Sequence, residues 1–338
     1  MNLFSKTLSS DNAVNYTNIA LMLISTILAF CLPFQLFIFS YAVLGPLHYL
    51  TEISWLDKRS FFTHKKHDVW LYVLMAVLLS VQVVDAKSVV NQFALTYIVT
   101  AFFFTIIIFF IKNNVVKYFL TVIVFLISSQ LRNNSNEFFV VWFLIMLPTI
   151  IHVFVFTGLF ILFGALKNKS SSGIISLLVF VLCTCSFPVF TPSLSTQMPG
   201  EYIQKAMNLL SVINRTLLYI FQMDGVDSFN TMIKYPAESV FTHPAAIVVA
   251  RFVAFAYTYH YLNWFSKTRV IKWHEVSKQR LFLISVLWIV SVGLYYWDYT
   301  IGFKVLFLLS MLHVFMEFPL NLQTIKGIGT EIGRKFKT

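Results

Sequence analysis

The feature that most constrains this chain is a succession of apolar runs, each close to the roughly 20 residues an α-helix needs to cross a bilayer. Nine such runs are read, at about 18–44, 69–84, 93–112, 115–130, 138–165, 174–190, 245–265, 281–298 and 302–320. Backbone in lipid must satisfy its own N–H and C=O groups, so runs of this length predict helices. Of the 338 residues, 58% are hydrophobic and 12% are charged, against about a quarter charged in a soluble domain. The expectation is an all-α, polytopic transmembrane helix bundle of about nine spans, a single domain over 1–338. That makes it a multi-pass integral protein of a cell or inner membrane. Met1–Tyr16 is polar, with one lysine and no small-residue cleavage site, so no removable signal peptide is expected.

A net charge of +11 raises the question of nucleic acid, but the basic residues lie between the apolar runs. One set of loops holds Lys58, Arg59, Lys65, Lys66, Lys112, Lys117, Lys167, Lys169, Lys267, Arg269, Lys272, Lys278 and Arg280, with Lys326, Arg334, Lys335 and Lys337 in the tail. The opposite set holds only Lys6, Lys87, Arg132, Lys205, Arg215 and Lys234. Cationic loops stay on the inner side, so the split predicts N-out, C-in and no nucleic-acid partner. The long outer connection, 191–244, repeats Tyr202, Ala206, Leu209, Leu210, Ile213, Leu217, Ile220 and Phe221 at helical spacing. It is read as an amphipathic surface helix, either a lid over a substrate entrance or plain packing on the bundle. Cys31, Cys183 and Cys185 lie in apolar runs and read as small packing residues. No internal repeat, phosphate-binding glycine loop or serine nucleophile elbow is present.

Eight histidines remain to be placed. His64, His67 and His274 fall in basic loops, and His243, before Pro244, reads as interfacial. His48 follows the end of run one, and His152, His260 and His313 fall in runs five, seven and nine, all of which run in the same direction across the membrane. At about 1.5 Å per residue, three of them lie within about one and a half turns of the same boundary. His152 is deeper and joins them if its helix tilts or breaks at Pro148. Imidazoles converging at one depth make a site for a transition metal; interhelical hydrogen bonding or a proton or ion pathway uses the same residues differently. Glu52 and Glu317 each follow a histidine by four residues, one turn along the same helix face. They are read as acids that orient His48 and His313 by accepting their second ring N–H.

Taken in order, these motifs resemble the Brp/Blh family of membrane-embedded beta-carotene 15,15'-dioxygenases. The likeness rests on Gly45-Pro46-Leu47-His48 with Glu52, on Thr149-Ile150-Ile151-His152, on Phe255-Ala256-Tyr257-Thr258-Tyr259-His260, and on His313 with Glu317. The family's first motif is similar but has its proline next to the histidine. Its third has a second histidine where this chain has Trp264, and its acids tend to aspartate. The resemblance covers the histidine-bearing runs and little between them. It implies an Fe(II) enzyme held by His48, His152, His260 and His313, with O2 splitting a double bond of a carotenoid (beta-carotene to retinal). An apolar substrate would enter from the lipid, past aromatics such as Tyr41, Tyr49, Phe255, Tyr257, Tyr259, Tyr261 and Trp264. Two alternatives stay open: a metal-dependent hydroxylase or desaturase acting on another lipid, and a transporter or structural membrane subunit without redox metal. Desaturases favour His-x-x-His-His boxes, and only His64 and His67 faintly resemble one.

Overall fold

The computed structural model describes residues 2–84, 93–131, 137–190 and 198–335. Lys87, Arg132 and Lys337 lie outside the described residues, as do the side chains of Lys6, Arg269 and Lys335. Among the described residues there is no strand. The helices are α1 (Asn2–Cys31), α2 (Pro33–Phe39), α3 (Gly45–Lys58), α4 (Val69–Val84), α5 (Ala94–Phe110), α6 (Asn114–Leu131), α7 (Glu137–Phe139), α8 (Thr157–Lys167) and α9 (Ser171–Val189). There follow α10 (Glu201–Ile220), α11 (Phe229–Lys234), α12 (Ser239–Thr242), α13 (Pro244–Ser266), α14 (Thr268–Ile271), α15 (Lys278–Trp297) and α16 (Tyr299–Lys335). Two π-helical stretches, π1 (Ser40–Leu44) and π2 (Val140–Phe156), join α2 to α3 and α7 to α8.

Eight of these stretches are long and apolar enough to cross a membrane: Asn12–Cys31, Pro33–Lys58, Lys66–Val83, Glu137–Lys167, Ser171–Val189, Pro244–Ser266, Lys278–Trp297 and Tyr299–Arg334. Two more apolar helices, Ala94–Phe110 and Asn114–Gln130, are shorter. The chain is thus a polytopic helical membrane protein. The first predicted run, 18–44, divides at Leu32. Pro33 has no N–H to donate and starts α2 at its first position, while Leu32 N and Leu36 N still bond Leu28 O and Leu32 O across the break (2.8 and 2.9 Å). The last run, predicted to end at 320, continues as helix through Pro319 to Lys335.

The chain clusters into two compact units. One comprises residues up to Leu44, Val153–Lys272 and the residues from Thr324 on. Its axis is α13, buried on all sides from Ala246 to Trp264, as expected of a helix that is apolar around most of its circumference. Helices α1, α2, α9, α10 and α12 pack on it. Asn18 of α1 accepts hydrogen bonds from Tyr259 (3.2 Å) and Ser266 (2.9 Å) of α13, and Phe255 and Tyr259 stack in parallel one turn apart. The predicted surface helix is α10, which turns Ala206, Met207, Leu210, Ile213 and Leu217 inward and packs on α13 and α2. Helices α8 and α9 meet closely because Gly173 has no side chain. A Cβ there would stand 2.8 Å from the Ala165 Cβ.

The other unit comprises Gly45–His152 and Trp273–Gln323. Its core is built from Tyr72, Met75, Ala76 and Leu79 of α4, Ile98, Ala101, Phe104 and Ile108 of α5, Leu147 of π2, and Met311, Val314, Phe315 and Phe318 of α16. Inside it the Tyr72 hydroxyl pairs with Thr105 at 2.7 Å. Helix α15 packs on α3 and leaves Phe282, Leu283, Ile289, Val290 and Trp297 exposed, an apolar face suited to lipid. One expectation needs correcting here. Lys117, read from the sequence as a loop cation, lies in the first turn of α6 and is only 2% exposed, its ammonium paired with the buried Asp68 just before α4. A charge in the apolar interior of such a unit persists only when paired.

Candidate metal centre

Three histidines and two glutamates of the second unit come together inside it. His48 and Glu52 lie one turn apart on α3, His152 lies on π2, and His313 and Glu317 lie one turn apart on α16. All five are buried, from 1% exposed at His48 to 5% at His313. Backbone irregularities precede two of the three histidines. π1 ends at Leu44, just before the Gly45-Pro46 that opens α3, and Pro148, which has no N–H to give to a preceding turn, lies four residues before His152. The disturbance anticipated at Pro148 takes the form of a π-helical stretch, and π turns within helices are frequent at functional sites.

The side-chain contacts are close. His48 Nε2 is 3.0 Å from Glu52 Oε2. His152 Nε2 and His313 Nε2 stand 3.2 Å apart, and the other nitrogen of His152, Nδ1, is 3.1 Å from Glu317 Oε2. The His313 ring lies edge to face with both His48 (centroids 5.4 Å) and His152 (5.1 Å), with Tyr49 tilted over it at 5.7 Å. Glu317 therefore serves the histidine of a different element, His152, and not its own helix neighbour His313.

Glu317 Oε2 stands at ion-pair distance from Nδ1 of His152, on the side of the ring away from the nitrogen, Nε2, that faces His313. Both Glu52 Oε2 and Glu317 Oε2 are at ion-pair distance from imidazole, yet neither makes an aligned hydrogen bond. A divalent cation fits this donor set. It satisfies facing nitrogen and oxygen lone pairs at once. Ligand atoms of His48, Glu52 and His313 all lie within 4.8 Å of one another.

The fourth predicted station, His260, belongs to the first unit, where it is 6% exposed on α13. The Thr157 hydroxyl donates to Val153 O (2.8 Å) and so must accept from His260 Nδ1, 2.9 Å away. This fixes a proton on Nδ1 and leaves Nε2 as the base, the arrangement of a prospective ligand. Thr157 had no signal in the sequence, being one hydroxyl within an apolar run. Among the expected lining residues, Tyr49 sits beside His313 as described. Tyr257, Tyr261 and Trp264 are buried on α13, with Tyr257 edge-on to Phe37 and Tyr261 edge-on to His260. His64, His67 and His274 take no part in the cluster. His243 instead pairs with Asp224 (2.7 Å), to which Tyr235 also donates.

No family model, curated protein or solved structure matches this chain.

Proposed function

We propose that this protein is a multi-pass, membrane-embedded, metal-dependent oxygenase acting on an apolar lipid-phase substrate. The observation that carries the reading is the buried cluster of His48, His152 and His313 with two carboxylates. Imidazole nitrogens with carboxylate oxygens suit iron, and Fe(II) held with open positions supplies O2 activation. The resemblance in sequence extends the proposal to a carotenoid, beta-carotene cleaved to retinal, and to His260 as a fourth ligand.

The chain's own residues have definable work. Glu317 stands beside Nδ1 of His152, behind the nitrogen that faces His313, and Thr157 accepts from Nδ1 of His260 and so presents its Nε2. The burial of all five cluster residues excludes water, which strengthens each electrostatic contact and keeps a reactive polyene from side reactions. Tyr49, Tyr257, Tyr261 and Trp264 are assigned to the substrate's apolar surroundings.

The test is expression of the chain in carotene-producing cells, followed by chromatography of lipid extracts. Retinal that appears with the wild-type chain and disappears with His313→Ala supports the proposal. Unchanged carotenoids, in cells whose membranes contain the metal-loaded protein, reject the substrate and leave another lipid. A wild-type protein that takes up no metal rejects the oxygenase itself.

A further inference from the structure

The two glutamates occupy matching places in the sequence, each four residues after a histidine, yet the structure gives them different surroundings. Glu317 meets His152 Nδ1, the nitrogen on the far side of the ring from the His152–His313 contact. Its carboxylate stands behind a histidine. Glu52 stays with its own helix neighbour, and its ligand oxygen falls inside the same 4.8 Å sphere as those of His48 and His313. Glu317 belongs to no such group among the described residues. A carboxylate oxygen 3.0 Å from His48 Nε2 and within 4.8 Å of the ligand atoms of both His48 and His313 is placed as a neighbouring donor to a shared ion.

We infer that Glu52 is itself a ligand of the metal, beside the histidines of the proposed centre, whereas Glu317 is a positioning residue acting through His152. The inference rests on the proposed metal centre and specifies it. The chain then offers an anionic oxygen among neutral imidazoles, a donor set that takes a divalent ion with one charge already balanced and favours harder ions than imidazole alone does. Glu317 stays outside the ligand set, beside the far nitrogen of His152.

The full chain, purified in detergent and stripped with chelator, is titrated with Fe(II) under anaerobic conditions and separately with Co(II). Bound metal is quantified by elemental analysis, affinity by competition with a chelator, and the Co(II) ligand field by visible absorption. Thermal unfolding of each variant checks that it folds. The inference predicts that Glu317→Gln weakens binding by about 10–100-fold, the range for an orienting partner, and leaves the Co(II) spectrum nearly unchanged. Glu52→Gln weakens it by more than about 1,000-fold, beyond that range, and Glu52→His, which restores a donor without the charge, recovers much of the loss with an altered spectrum. Equal losses from Glu52→Gln and Glu317→Gln, or a folded Glu52→His variant no better than Glu52→Gln, overturn it while the metal centre stands. A wild-type chain that binds neither ion overturns the metal centre and this inference together.

Discussion

The buried pair of Asp68 and Lys117 sets a measurable limit on what holds the second unit together. Asp68 is fully buried and Lys117 is 2% exposed; the Tyr118 hydroxyl also donates to the Asp68 carboxylate at 3.2 Å. Replacing Asp68 with alanine strands a buried ammonium. The cost of leaving one partner of a buried pair alone is about 3–5 kcal/mol, against about 1 kcal/mol or less for an exposed pair. Replacing both partners with apolar residues of similar size removes the charge with its counterion and is close to neutral. The expected series is therefore a loss of about 3–5 kcal/mol for Asp68→Ala, a similar loss for Lys117→Ala, and near wild-type stability for Asp68→Leu combined with Lys117→Met. Reversible unfolding in mixed SDS micelles, followed by circular dichroism, measures all three. A loss below about 1 kcal/mol for Asp68→Ala, or a double variant as unstable as the single ones, refutes the argument.

Other predictions concern packing and pH. Phe315→Ala, at a fully buried core position of α16, should cost about 3–5 kcal/mol in the same assay. Gly173→Leu, where even a Cβ meets the Ala165 backbone at 3.0 Å, should force α8 and α9 apart and lower the thermal midpoint, which differential scanning fluorimetry reads directly. In the segment between the spans, burial acts to raise the Asp224 carboxyl, but hydrogen bonds from His243 and Tyr235 outweigh it and hold it below its ordinary range. A carboxyl depressed in the folded state adds stability above its unfolded pKa, about 3.9, and loses it as pH falls through the folded value. Limited proteolysis of this segment should thus accelerate in wild type as the pH is lowered from about 5 to 3, and Asp224→Asn should abolish that acceleration.

Much of the fold was legible in the sequence because lipid imposes one demand, internally bonded backbone, and hydropathy reports it. The runs near 69–84, 93–112, 115–130, 174–190, 245–265 and 281–298 all correspond to helices. What hydropathy misses is backbone chemistry inside an apolar run. Pro33 sits between Leu32 and Phe34 and leaves no dip, yet it divides the first run. Pro148 signalled a disturbance but not the π-helix that surrounds it. Polar partners far apart in sequence were equally hidden, as with Lys117 and Asp68. At the candidate site, the His48–Glu52 contact follows from one-turn spacing on a helix and was readable in advance. The Glu317–His152 contact was not, because a residue between two candidate partners chooses by tertiary packing, and spacing along α16 points only to His313.

The most direct test of the account is the metal content of the wild-type chain purified from iron-replete cells. The account predicts iron in stoichiometric amount, retained through detergent purification, and lost in His152→Ala and His313→Ala variants that still fold. Wild-type protein without stoichiometric metal, or equal metal in the wild type and both variants, would contradict it.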